Sequence, residues 1–247
     1  MAESASADES APKVTIVIPI YNEEGILRAS VLELVDRMGR FDFSWELVLA
    51  ENGSVDRTVE ICRELSSRFD NVSYFSVGTP GNGNYGKALR QGILDAQGEY
   101  VFCDEIDLCD TNFYAEALPI LDSGEADMVI GSKLASGAQD ERPFVRHVGS
   151  LVINGMLRVA LDFKGTDTHG LKAFRRSVVA PIAERCIVDR DLFASELVIR
   201  AEREGMAIRE IPVSIVEKRE PSVHLFRRVP HVLKNLGQLV VAIRIKG

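Results

Sequence analysis

Four carboxylates crowd into the seven-residue segment DEIDLCD: Asp104, Glu105, Asp107 and Asp110. They follow directly on the apolar run YVFC, and at such spacing they repel one another unless a positive charge sits among them. Hard carboxylate oxygens favour Mg²⁺ or Mn²⁺, ions commonly bound through one or two carboxylates and shared with substrate phosphates. The plainer alternative is a solvated acidic loop; the position after a buried strand argues for the metal. Three other polar segments follow strand-like runs in the same way: PIYNEE (Pro19 to Glu24), ENGSVDRT (Glu51 to Thr58) and GTPGNGNYGKA (Gly78 to Ala88). Ligands of open α/β sheets bind beyond the carboxyl ends of the strands, so these four turns are expected to line one edge.

The elements that must carry these turns show in the apolar periodicity. Val14 to Ile18, Glu46 to Ala50, Val72 to Val77 and Tyr100 to Cys103 read as short strands. Helical runs separate them, with Ile26, Leu27, Val31, Leu34, Val35 and Met38, then Val59, Ile61, Cys62 and Leu65, then Lys87 to Ala96. Nearly continuous apolar strands suit a mainly parallel sheet with helices on both faces, which makes the fold class α/β. Beyond Asp127 to Gly131 comes a polar loop, SKLASGAQDERP, and a helix is expected from Arg146 to Leu161. LKAF (Leu171 to Phe174), a helix from about Asp191 to Glu204 and a strand around Ile208 to Val216 follow. A terminal helix over about 225–245 places Val232, Leu233, Leu236, Leu239, Val240 and Ile243 on one face. With no repeat or linker, residues 13–247 are expected to form a single domain. The acidic, Ser/Ala-rich residues 1–12 are expected to form a disordered lead.

Composition excludes several classes. The net charge of −8, from 37 acids against 29 bases, offers no basic footprint for nucleic acid. Four cysteines without CxxC or Cys/His spacing read as reduced thiols of a cytosolic protein. The longest apolar run, Leu239 to Ile243, is far below the roughly 20 residues that span a bilayer. From Glu217 onward seven Lys/Arg face two Glu, so the acidic chain ends in a basic amphipathic helix. Such an end suits an anionic membrane leaflet, or the solvated face of a core-covering helix. The Gly-rich turn lacks the GxxxxGK[ST] spacing, since Ala88 follows Lys87; no GxGxxG opens a helix directly after the first strand, and GxSxG is absent, which disfavours Walker ATPases, dinucleotide dehydrogenases and α/β hydrolases.

Taken together, the motifs resemble inverting glycosyltransferases of family 2, which have the GT-A nucleotide-binding fold, and among them the polyprenyl-phosphate sugar synthases. VTIVIPIYNEE is similar to the family opening with PxYNE, ENGSVDRT to DDGSxDxT, and NYGKALRQGI to NxGKGxAxRxGI. GSK is similar to GSR, and DTHGLKAFRR to DTxxGFKxFRR. The resemblance implies that Pro19, Tyr21 and Glu23 surround base and ribose, and that Glu51 stands for the first acid of DDGS. It also implies that Asp56, Lys87 and Asp104 belong to the nucleotide-sugar site. Glu105 and Asp107 take the place of the family's DxD as metal ligands, with Glu for the first Asp. Lys133 and Arg146 correspond to the acceptor-binding cations, and Arg219 and Ser222 to a late RxxxS element over the donor pyrophosphate. Asp167, with Glu105 and Asp107, is expected to act in catalysis. His169 reads as a structural hydrogen-bonder, and Glu196 as an acid near the pocket or on a helix surface.

The implied activity is metal-dependent transfer, with inversion, of a hexose from a UDP- or GDP-sugar to a polyprenyl phosphate. The implied location is the inner face of the membrane, as a peripheral cytoplasmic protein, with a homodimer among the expected assemblies. Transfer to a hydroxyl of a polysaccharide or small molecule is the alternative, with Asp167 or Glu196 as general base. A non-catalytic nucleotide-sugar-binding module is the other.

Overall fold

A computed structural model describes residues 11–135, 139–140, 144–190, 192–215 and 225–244, with side chains in all of these except 139–151, 153, 214–215 and 225–233. The expected acidic lead lies almost wholly outside the described residues. Strand alternation sets the layering. In β1 (Val14–Ile20), Val14, Ile16, Ile18 and Ile20 are fully buried on one face against Leu27, Val31, Leu34 and Met38 of α1 (Leu27–Met38). Val17 points the other way, to Ala88, Leu89 and Ile93 of α3 (Tyr85–Asp95). The period of two in the strand and the i, i+4 stripe in the helix build two apolar layers, one on each face of the sheet.

β2 (Trp45–Glu51) and β4 (Tyr100–Cys103) flank β1, and β3 (Val72–Ser76) lies outside β2, all four parallel. Their carboxyl ends therefore share one edge, as expected. The seven-stranded order is β3-β2-β1-β4-β7-β5-β8, with β5 as Met128–Ser132, β7 as Leu171–Arg175 and β8 as Ile208–Pro212. β7 runs antiparallel to both β4 and β5, whereas β5 and β8 are parallel. This reversal matters for the site. The segment that enters β7 arrives at the same edge where β4 and β5 end, so residues 165–170 meet the acid turn and the GSK segment. α2 (Thr58–Arg68) and α4 (Thr111–Asp122) belong to the first apolar layer. α5 (Phe144–Leu161), α6 (Arg176–Arg185), α7 (Phe193–Arg203) and α8 (Leu225–Arg244) belong to the second, with α3.

Two helices escape the sequence reading. α4 buries the stripe Phe113, Tyr114, Ala117, Leu118 and Leu121 but contains Pro119, and α6 contains Pro181; an internal proline reads as a helix breaker. The strand read around 208–216 is divided at Val213, because its second part, β9 (Ser214–Ile215), leaves the main sheet and pairs with β6 (Gln139–Asp140). All four cysteines are buried. The turn after β2 depends on Gly53, at φ +89°, where a Cβ would stand 2.4 Å from the Thr79 carbonyl oxygen; both conformation and space require glycine.

Candidate active site

The strand ends assemble one polar edge. At β1, Pro19 is half-buried, Tyr21 is exposed, and the backbone N–H of Glu23 donates to Thr58 Oγ1 at 2.8 Å. At β2, Glu51 is buried and its Oε1 accepts from the Ser54 N–H at 2.5 Å. Asn52, buried beside it, donates from Nδ2 to the Ile20 carbonyl at 3.0 Å and ties the first two turns together. Asp56 is drawn into the scaffold: it accepts from Glu24 N at 3.2 Å and Thr58 N at 3.0 Å. Burial alone would raise its pKa, but the Thr58 and Glu24 hydrogen bonds outweigh it and hold the carboxyl below its ordinary value. Lys87 is exposed in the first turn of α3, where its N–H is capped by Asn84 Oδ1 at 3.0 Å.

The four acids after β4 divide by role. Asp110 caps α4, accepting from Asn112 N at 3.0 Å and Phe113 N at 3.3 Å. Asp104 is buried and fully engaged: Oδ1 accepts from Glu105 N at 2.6 Å, and Oδ2 accepts from Asp110 N at 3.0 Å and from the Tyr114 hydroxyl. Burial pushes it up to about 7, against those hydrogen bonds. Asp104 therefore shapes the turn from beneath. Glu105 is exposed and Asp107 is 8% exposed at the edge, two hard carboxylates two residues apart. That donor set fits an ion that keeps several waters and completes its shell with phosphate oxygens. Among the described residues no group of three or more His, Cys, Asp or Glu could hold a metal by protein ligands alone.

Opposite the acids stands a cationic pair of elements. Lys133, just past β5, is 9% exposed and lies 3.2 Å from Asp167, itself fully buried. Among the described residues the Asp167 Oδ2 atom facing Lys133 takes no hydrogen bond, whereas Oδ1 accepts from His169 N at 2.9 Å. Burial would raise the Asp167 pKa; Lys133 and the His169 N–H reverse this and hold it below its ordinary value. Lys172 on β7 is 2% exposed and donates to the Gly170 carbonyl at 2.7 Å. Burial lowers its pKa, while Cys103, Asp167 and Glu105 act in the opposite sense, so lysine and acid turn share one field. Tyr85 enters the same neighbourhood, its hydroxyl pKa raised by burial and by Glu105.

Sequence reasoning passed over Lys172 as part of a motif, although a lysine inside an otherwise apolar strand was the available signal. Glu196 is not on a helix surface: it is fully buried and spends its oxygens on Ile187 N at 2.9 Å, Val188 N at 2.6 Å and Arg200 Nε at 2.8 Å. His169 Nδ1 shares a hydrogen bond with Thr168 Oγ1 at 3.1 Å. Arg219 and Ser222 lie outside the described residues, and Arg146 falls in the first turn of α5 with its side chain outside them.

The Lys133–Asp167 pair makes a pH prediction. The folded pKa of Asp167 lies below the unfolded value of 3.8, so the stability it contributes is complete above about pH 4 and is lost as pH falls through the folded value. The urea midpoint of the wild type should exceed that of Asp167→Asn near neutrality, with the gap narrowing in acid. A gap that widens on acidification contradicts the pairing.

Comparison with known proteins shows the family and the fold. Residues 15–182 match the glycosyl transferase family 2 description, and the chain belongs to that family. It is 29% identical over 250 residues to the glycosyltransferase AglD of Haloferax volcanii, covering 98% of this chain and 40% of that protein. It is 27% identical over 213 residues to the dolichyl-phosphate beta-glucosyltransferase ALG5D of Trichomonas vaginalis, covering 81% of this chain and 64% of that protein. The chain thus spans less than two thirds of the length of either relative. Among solved structures, the glucosyl-3-phosphoglycerate synthase of Mycobacterium tuberculosis, in complex with Mn²⁺, UDP and glucosyl-3-phosphoglycerate, superposes with a TM-score of 0.65 at 18% identity. That alignment covers 93% of this chain and 80% of that one. The shared fold is GT-A.

Proposed function

We propose that this chain transfers a hexose from a nucleotide-diphosphate sugar to a polyprenyl phosphate, inverting the anomeric centre. The observation that carries the acceptor class is the presence of two buried lysines, Lys133 at 9% and Lys172 at 2% exposure, at the same edge as the acid turn. A phosphate acceptor arrives already ionised, so it needs cations rather than a strong base. Asp167, ionised and facing Lys133, serves to orient that lysine. Similarity to dolichyl-phosphate beta-glucosyltransferases supports the same reading.

On the donor side, Tyr21, Pro19 and Glu23 frame the base and ribose. Glu51 offers its second oxygen to a donor group of the nucleotide, since its first is held by Ser54. Lys87 lies at the amino end of α3, where helix dipole and ammonium together favour the diphosphate. A Mg²⁺ or Mn²⁺ held by Glu105 and Asp107 would supply the charge that stabilises the departing nucleotide diphosphate. Lys133 and Arg146 bring the acceptor oxygen to the face of the sugar opposite the leaving group, and Arg219 and Ser222 close over the pyrophosphate. The basic end of the chain carries the protein to an anionic membrane surface, at the inner face. Among the described residues no helix is long and apolar enough to cross a membrane.

The test is a panel of UDP- and GDP-hexoses with Mg²⁺ or Mn²⁺, offered a short polyprenyl phosphate in one series and an oligosaccharide in another. Hexose should appear on the lipid phosphate. Product on the oligosaccharide alone would move the protein to the hydroxyl-acceptor class, and tight nucleotide binding with no product in either series would mark a binding module.

A further inference from the structure

The Lys133–Asp167 pair joins two segments that are distant in sequence, and the structure holds them together from a third element. Glu210 lies on the edge strand β8, opposite Ile130 of β5 in the register. Its carboxylate reaches the segment that enters β7. Oε1 accepts from Thr166 N at 2.6 Å and from Asp167 N at 3.4 Å, and Oε2 accepts from Thr166 Oγ1 at 2.6 Å. Thr166 Oγ1 is in turn 2.6 Å from Ser132 Oγ, and Ser132 Oγ accepts from Leu134 N at 3.2 Å.

An ionised carboxylate only accepts, which fixes the direction of every proton in this chain. The Thr166 hydroxyl donates to Glu210, so its oxygen accepts from the Ser132 hydroxyl, whose oxygen accepts from the Leu134 N–H. Ser132 and Leu134 bracket Lys133, and Thr166 adjoins Asp167. On the far side of the pair the two segments touch through backbone: a Cβ on Gly170 would stand 2.0 Å from the Gly131 carbonyl oxygen, so only glycine allows the approach. The pair is thus held between a backbone contact and a one-way relay that ends on Glu210.

We propose that Glu210 is a positioning residue for acceptor binding: through Thr166 and Ser132 it sets the Lys133 ammonium against Asp167, and so sets where the acceptor phosphate is held. The inference rests on the reading that Lys133 contacts that phosphate. Small displacements of positioned groups have large kinetic consequences.

The experiment measures KM for a short polyprenyl phosphate and for the sugar-nucleotide donor in the full chain. The variants are Glu210→Ala, Glu210→Gln, Thr166→Val, Lys133→Ala and the Lys133→Ala/Glu210→Ala double. Glu210→Ala should raise the acceptor KM about tenfold and leave the donor KM within about twofold. Glu210→Gln keeps an acceptor oxygen for Thr166 N, and its amide N–H can donate to Thr166 Oγ1 with the Thr166 hydroxyl turned to donate to Ser132 Oγ. The contacts then persist with their protons reversed and most of the loss should be recovered, while Thr166→Val should reproduce it. Residues acting as one unit are non-additive, so the double variant should be no worse than Lys133→Ala. Multiplicative losses in the double, equal changes in both KM values, or no recovery by glutamine would overturn the positioning role. If Lys133→Ala itself leaves the acceptor KM unchanged, the acceptor-site reading fails first, and that result is recognisable without any Glu210 variant. Should Glu210→Ala not fold, Thr166→Val and Glu210→Gln carry the same comparison.

Discussion

Replacing Asp107 with alanine is expected to lower hexose transfer on the order of 10³-fold while leaving the folded structure in place. Asp107 sits at the edge of the sheet after β4, directed by a turn that other residues build. Asp104 accepts from Glu105 N, Asp110 N and Tyr114, and Asp110 caps α4. Removing Asp107 therefore takes away a carboxylate proposed to hold the diphosphate's counter-ion and leaves in place the Asp104 and Asp110 hydrogen bonds that shape the turn. Asp104→Ala has the opposite signature. It deprives two N–H groups and a buried hydroxyl of their acceptor, at a cost of about 1–3 kcal/mol for each group left unsatisfied, so stability falls with activity. Turnover assays paired with thermal unfolding separate the two. An Asp107→Ala variant that transfers hexose at nearly the wild-type rate would remove this residue from the chemistry.

The second large effect concerns stability. Glu196→Ala is expected to destabilise the protein by about 3–5 kcal/mol, because it leaves Arg200, 9% exposed, as a buried unpaired charge and strips the acceptor from Ile187 N and Val188 N. The loss is not confined to α7. Arg200 Nη2 also donates to the Ala242 carbonyl of α8 at 3.3 Å, so the pair links the 187–188 segment to the terminal helix. Both elements line a cleft of about 650 Å³ that reaches Asn84 at the start of α3. As a control, Arg185→Ala breaks a half-exposed pair with Glu204 and should cost less than about 1 kcal/mol. Urea denaturation of both variants measures the difference. Equal midpoints would show that the buried pair contributes no more than the exposed one.

The α/β class, the shared edge of four strand ends and most helices were legible because the strands are short, nearly continuous apolar runs and the helices between them carry an apolar stripe. What was hidden depends on tertiary context. β7 looks like its neighbours in sequence, and only the register shows it reversed between β4 and β5, with Lys172 opposite Cys103 and Ile130. α4 was lost because Pro119 sits inside it and the apolar Ala115 and Ile120 off the buried stripe of Phe113, Tyr114, Ala117, Leu118 and Leu121 mask its period. For the site, residue type named the acids but could not sort them: Asp104, Asp110 and Asp56 spend their oxygens on backbone N–H groups, which no spacing rule reports. The helix-surface alternative for Glu196 failed for the same reason, since a carboxylate between apolar neighbours on a helix reads as surface until its partners are seen. Glu210 carried no signal at all, because its role lies in a segment more than forty residues away.

Titration calorimetry of UDP- and GDP-hexoses against the wild type and Asp107→Asn, each with and without Mn²⁺, tests the central claim most directly. One sugar nucleotide should bind the wild type at least about tenfold more tightly when Mn²⁺ is present, and that gain should vanish in Asp107→Asn. Sugar-nucleotide binding that is equally strong without the ion, or a gain that survives the substitution, would contradict the assignment of the Glu105–Asp107 turn.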